Sequence, residues 1–172
     1  MDIHVLIEFY IAERTANKYS TLLIESYNDL IIRTGGRLSK DKREIIKNRI
    51  DKLNNSINKK IETIHSYESM IINLIEQLSD YEKDELSEYL REKLDIIKDN
   101  IVITNLELET IEYTNDLEEY TKLFSNILLK PTIIPEEYKD KKILLINLNL
   151  RRESYEFITN ILERSKKPSM KP

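Results

Sequence analysis

The chain has 172 residues, 40% apolar and 34% charged, with net charge −4, two glycines, four prolines and no cysteine. That length suits one domain with its own core, and so few breakers exclude a β-sandwich or an α/β fold, whose turns consume glycine and proline. The lack of cysteine excludes disulfides and thiolate chemistry, and regularly spaced Ile and Leu exclude wholesale disorder.

The N-terminus is acidic at Asp2 and interrupted by Glu8 and Glu13, so it lacks the basic start and apolar run of a signal peptide. No apolar stretch approaches membrane-spanning length. The expectation is a cytoplasmic protein with no membrane partner. Ile, Lys, Glu, Asn and Tyr dominate, while Ala occurs twice and Gln once. This usage fits an AT-rich genome, of a kind common in viruses and mobile elements, and scarce Gln and Cys also suit a thermophile.

The first element runs from about residue 2 to 33. Val5, Phe9, Ala12, Ala16, Tyr19, Leu23, Ser26 and Leu30 alternate in steps of four and three, the spacing of a heptad seam. Gly35-Gly36 ends it. Ser39 then serves as N-cap for a second helix over 39–78. Its seam reads Ile46, Ile50, Leu53, Ile57, Lys60, Ile64, Tyr67, Ile71, Leu74 and Leu78. Ser79 and Glu82 form a capping box, and the heptad phase breaks there. A third helix over 81–130 follows, read with the seam Ile96, Asp99, Ile103, Leu106, Thr110, Tyr113, Leu117, Tyr120, Phe124 and Ile127.

Charge selects the path of the chain. Residues 40–60 carry eight Lys/Arg against three acids, and residues 105–119 carry six acids and no base. A reversal near residues 79–80 sets position i against 159 − i and brings the two blocks together, as flanking charges do in coiled coils. A continuous rod holds them ~90 Å apart. The same reversal places Lys60 near Asp99, the charged exceptions on their seams, as a pair fixing register.

Pro131 and Pro135 bracket an extended connector. Residues 136–150 are ambiguous, because Ile146, Leu148 and Leu150 alternate with Asn147 and Asn149 like a strand. A short helix from Arg152 to Arg164 and a basic tail complete the chain. Two parts are therefore expected: a long-helix bundle over 1–130 and a C-terminal module over 131–172.

No constellation for catalysis is legible. Glu62 and His65 have the Glu-x-x-His spacing of di-iron bundles, but those sites need a second such motif and two further carboxylates. Gly35-Gly36 lacks the strand and Gly-Lys-Ser/Thr of a phosphate loop. Ser and Thr have no nearby His to act as base. No cofactor, metal or small-molecule substrate is expected.

Two surfaces remain as candidates. A second apolar stripe (Ile61, Ile72, Ile75; Leu94, Ile97, Ile101, Leu108, Ile111) is wider than a two-stranded seam needs, and marks an interface for a protein partner or a second copy. The C-terminal cations Arg151, Arg152, Arg164, Lys166 and Lys167 mark a nucleic-acid surface, although a pI near 5.4 argues against that as the main activity. Among the tyrosines, Tyr19, Tyr67, Tyr113 and Tyr120 read as core, whereas Tyr27, Tyr81, Tyr89, Tyr138 and Tyr155 could serve an interface.

Ala16, Tyr19, Leu22, Glu25, Tyr27 and Leu30 resemble in spacing the start of the α-helical domain of archaeal GINS replication subunits. A small C-terminal module after a helical domain is also similar to that family. The resemblance implies a replication-complex accessory subunit. The chain departs from it at Ser26-Tyr27, where the family has Phe-Tyr, in lacking the Leu-Pro break, and in a short, glycine-free residue 131–172 segment. The reading of this chain rests on its own residues: an all-α antiparallel bundle of three long helices and a short C-terminal helix. Its expected role is non-enzymatic assembly or adaptor work through self-association.

Overall fold

The computed structural model describes residues 2–114 and 136–166. They form four helices: α1 (Ile3–Thr34), α2 (Lys40–Gln77), α3 (Asp80–Thr114) and α4 (Glu136–Lys166). The fold is an all-α bundle, and the described residues contain no strand. No described helix is long and apolar enough to cross a membrane.

Local chemistry sets the helix ends. The Asp2 carboxylate accepts from the His4 N–H at 2.9 Å and caps α1. Gly35 closes α1 at φ 56°, in the positive-φ region where a side chain would be strained, and its N–H donates to the Ile32 carbonyl. Ser39 caps α2 by accepting from the Lys42 N–H at 3.2 Å. At the next turn the Ser79 hydroxyl accepts from the Glu82 N–H at 3.2 Å, and the Glu82 carboxylate accepts from the Ser79 N–H at 3.0 Å. The reciprocal box satisfies two N–H groups that a helix start leaves without partners. So the chain breaks at residue 79 without a glycine.

The pairing that follows differs from the expected α2–α3 zipper. Among the described residues, α1 packs along α2 and α3 packs along α4. Lys60 lies against Glu13 of α1 at 2.9 Å, not against Asp99, which is exposed on α3. Glu107 pairs with Lys141 of α4 rather than with the basic block of α2. Of the expected α2 seam Ile46 and Ile71 are buried, together with Ile75 of the second stripe, and the helix packed against this face is α1. The loop through Gly35-Gly36 joins α1 and α2 as an antiparallel pair.

The phase expected on α3 is also corrected. Leu90, Leu94, Ile97, Thr104, Leu108 and Ile111 are buried, with Ile101 packed against the core, whereas Ile96, Ile103 and Leu106 are exposed. Both stripes keep the four-three spacing, but only the buried one carries no charge. A seam with Asp99 at its centre would have to desolvate that carboxylate.

Residues 136–150 belong to a helix of 31 residues, much longer than the Arg152–Arg164 segment expected. The boundary expected at residue 130 lies outside the described residues, as do Leu117, Tyr120, Phe124, Ile127, Pro131 and Pro135 of the expected third helix and connector. The helix after it is a full member of the bundle rather than an appended module. Leu148, Tyr155, Ile158 and Leu162 share one core with Leu6, Ile7, Tyr10 and Ile11 of α1, Ile71 and Ile75 of α2, and Leu86 and Leu90 of α3. Each fully buried Leu or Ile there contributes about 1.5–3 kcal/mol. The core therefore joins the N-terminal halves of α1 and α3 to the C-terminal halves of α2 and α4.

Candidate interaction surface between the two hairpins

Contacts across the hairpins begin where all four helices meet. The His4 ring of α1 stands edge-on to Tyr89 of α3 with centroids 4.5 Å apart, and Tyr89 stands edge-on to Tyr155 of α4 at 6.5 Å. Tyr155 is 1% exposed. Its hydroxyl donates to Glu8 Oε1 at 3.1 Å, and Arg151 donates to both Glu8 oxygens at 3.4 and 3.2 Å. A buried hydroxyl and a half-buried guanidinium thus share one carboxylate.

The electrostatics follow from that geometry. Burial, then the Glu8 charge and Tyr89, push the Tyr155 hydroxyl well above the ordinary phenol range. Burial alone would lower Arg151, but its bonds to Glu8 and to Tyr155 outweigh it and the guanidinium is raised. The cluster holds α4 against α1.

Farther along α1, Arg14 donates to the Ser154 hydroxyl at 2.6 Å and to Glu153 at 3.2 Å, and Tyr19 donates to Asn147 Oδ1 at 2.6 Å. Tyr19 and Asn147, with Glu8, Ala12, Thr15 and Arg151 among others, line an open groove of about 470 Å³. On α3, Tyr89, Ile96 and Ile103 recur every seven residues and so share a face. Tyr89 uses that face to touch α1 and α4, so the face looks into the gap between the hairpins. Beyond Tyr89 it opens to solvent: Ile96 is 57% exposed and Ile103 51%, while Leu144 of α4 is 41% exposed. Glu107, one helical turn past Ile103 on α3, reaches Lys141.

The candidates read from the sequence fall differently. Ile75, Leu94, Ile97, Leu108 and Ile111 are buried within the protomer, Ile72 and Ile101 are partly buried, and Ile61 is exposed. The stripe expected at an external interface is thus mostly the internal one, because α4 is long enough to cover it. Of the C-terminal cations, Arg151 is bound to Glu8, and Lys166 lies 3.2 Å from Asp84. Arg164 is exposed and Arg152 partly exposed, while Lys167 lies outside the described residues. Tyr138 and Tyr155 are core, Tyr27 is buried, and Tyr81 is exposed. His65 lies 3.2 Å from Glu68 on the surface of α2. No group of three His, Asp or Glu able to hold a metal occurs among the described residues.

Sequence reasoning missed the Glu8–Arg151–Tyr155 cluster and the exposure of the Ile96–Ile103 line. The first depends on the α1–α4 pairing. The second is visible as a stripe, but its spacing equals that of the core. Comparison with known proteins finds no matching family model, no matching curated protein and no matching solved structure.

Proposed function

We propose that the protein is a non-enzymatic assembly or adaptor protein that works through helix-packing surfaces and self-associates. The observation that carries this reading is the open apolar line on α3. Ile96 and Ile103 on α3, and Leu144 on the adjacent α4, leave large aliphatic side chains in water along a helix face whose spacing suits another helix. A partner helix laid along it would continue the packing that Tyr89 begins against α1 and α4. The alternative, an accessory subunit that touches nucleic acid through the C-terminal cations, has less support, because Arg151 and Lys166 face carboxylates of the same chain.

Light scattering during size-exclusion chromatography tests the reading. The expected result is a concentration-dependent oligomer that the double variant Ile96→Asp/Ile103→Asp converts to monomer with its melting temperature unchanged. Wild-type protein that stays monomeric at every concentration would remove self-association from the account.

A further inference from the structure

The pairing of α2 with α1 leaves the basic block at the tip of that hairpin without the acidic helix expected to cover it. Residues 33–52 carry eight Lys/Arg against three acids, a net charge of +5 in a chain of net charge −4. All eight cations are exposed. Arg37 donates to the Thr34 and Arg33 carbonyls at 3.1 and 3.2 Å, and Arg49 to the Tyr27 hydroxyl at 3.2 Å, so both bond to neutral acceptors. Among the described residues, Arg33, Lys40, Lys42, Arg43, Lys47 and Lys52 have no ion-pair partner, in contrast to Lys60, Lys141, Arg151 and Lys166.

We propose that the tip of the α1–α2 hairpin is a binding surface for the phosphodiester backbone of nucleic acid. Lys40, Arg43 and Lys47 stand at i, i+3 and i+7 and share one flank of α2. They span ~10 Å along the helix, the axial length over which one strand of a duplex presents about three phosphates. Arg33 and Arg37 extend the charge around the turn. The exposed residues that follow on α2 include Asn48, Asn54, Asn55 and Asn58, whose amides hydrogen-bond to phosphate and sugar oxygens. Ile32 and Ile45 are also exposed at this tip, which is the feature an anionic lipid surface would use. The Lys40–Arg43–Lys47 flank, however, runs along the side of α2 and is continued by the exposed Asn54 and Asn58, a track that suits a rod-shaped polyanion better than a plane touched at the tip. The contacts are to backbone, so binding is expected to be insensitive to sequence. These residues are separate from the Ile96–Ile103 line on α3, so either assignment can fail while the other stands.

The test is fluorescence anisotropy with a labelled DNA duplex of mixed sequence, at low and at physiological salt, alongside sedimentation with vesicles of phosphatidylcholine and phosphatidylserine. Wild-type protein should bind the duplex and weaken steeply with salt. The variant K40Q/R43Q/K47Q should bind about tenfold more weakly or worse. Its log–log salt slope should be shallower by roughly 0.9 for each phosphate that it no longer neutralises. The charge-keeping variant K40R/R43K/K47R should retain binding, which separates an effect of charge from an effect on folding. No duplex binding by the wild type, or capture by the anionic vesicles in its place, overturns the proposal. So does loss of binding in R152Q/R164Q with none in the triple variant.

Discussion

Lys60 Nζ lies 2.9 Å from Glu13 Oε2, joining α2 to α1 across a seam where both side chains are about one-third exposed. This contact explains why a lysine can occupy a heptad position in a run of Ile and Leu: its stem packs and its charge meets a carboxylate. It also identifies the partner of α2. The prediction is a small coupling, because partly exposed pairs contribute about 0.2–1 kcal/mol. A double-mutant cycle of Lys60→Met with Glu13→Gln should show coupling of that size, and the cycle of Lys60→Met with Asp99→Asn should show none.

The two stripes of α3 give opposite expectations for the same substitution. Leu94→Ala and Leu108→Ala each leave a cavity and should cost about 2–5 kcal/mol. Ile96→Ala and Ile103→Ala should stay within about 0.5 kcal/mol of wild type when the protein is monomeric. Urea unfolding of the four variants reads the phase of the helix directly. Equal losses in both pairs would mean that the assigned seam is wrong.

Tyr155→Phe removes a single hydroxyl. Without its bond to Glu8, stability should fall by about 1 kcal/mol, since Arg151 still holds the carboxylate. The pH dependence has a defined sign. Tyr155 is raised above its ordinary value of 10.0, so the folded chain holds this proton more tightly than the unfolded chain does. That stabilisation is complete below pH 10.0 and fades as pH rises towards the folded-state value. Denaturant midpoints over an alkaline series should therefore fall more steeply for wild type than for Tyr155→Phe. Parallel curves would count against the buried hydroxyl.

At the α2–α3 turn, Ser79→Ala should cost about 1 kcal/mol by removing the acceptor for the Glu82 N–H. The Glu82 carboxylate is held below its ordinary range chiefly by the Ser79 N–H it accepts. Its contribution is present above the unfolded-state value and is lost as pH falls through the folded one. Melting temperatures through the acidic range should drop for wild type, and less for Glu82→Gln.

Residue by residue, legibility in the sequence divides by range of interaction. Gly35, Ser39, Ser79 and Glu82 act on neighbours within four positions, so the ends of α1, α2 and α3 are legible from local chemistry. The buried face of α2 is legible as well, because one stripe there is far more apolar than any other. On α3, by contrast, two apolar stripes interleave, and only Asp99 betrays the wrong one. Charge blocks mislead for a physical reason: complementary flanks permit a pairing, whereas buried aliphatic area decides it. Asn147 and Asn149 give α4 a strand-like alternation. In the fold Asn147 accepts from Tyr19, and the Asn149 amide donates to the Leu145 carbonyl at 2.9 Å, so both polar residues are satisfied within a helix. The interaction surface depends on which hairpins form, and no local pattern carries that.

The chain folds as an α1–α2 hairpin joined at one end to an α3–α4 hairpin, with α2 and α3 not zipped together. Zero-length carbodiimide crosslinking of the native monomer, mapped by mass spectrometry, tests it most directly, since an amide forms only where a carboxylate touches a lysine. Glu13–Lys60 and Glu107–Lys141 amides are expected within one chain. Intramolecular Asp99–Lys60 or Glu107–Lys52 amides in their place would contradict it.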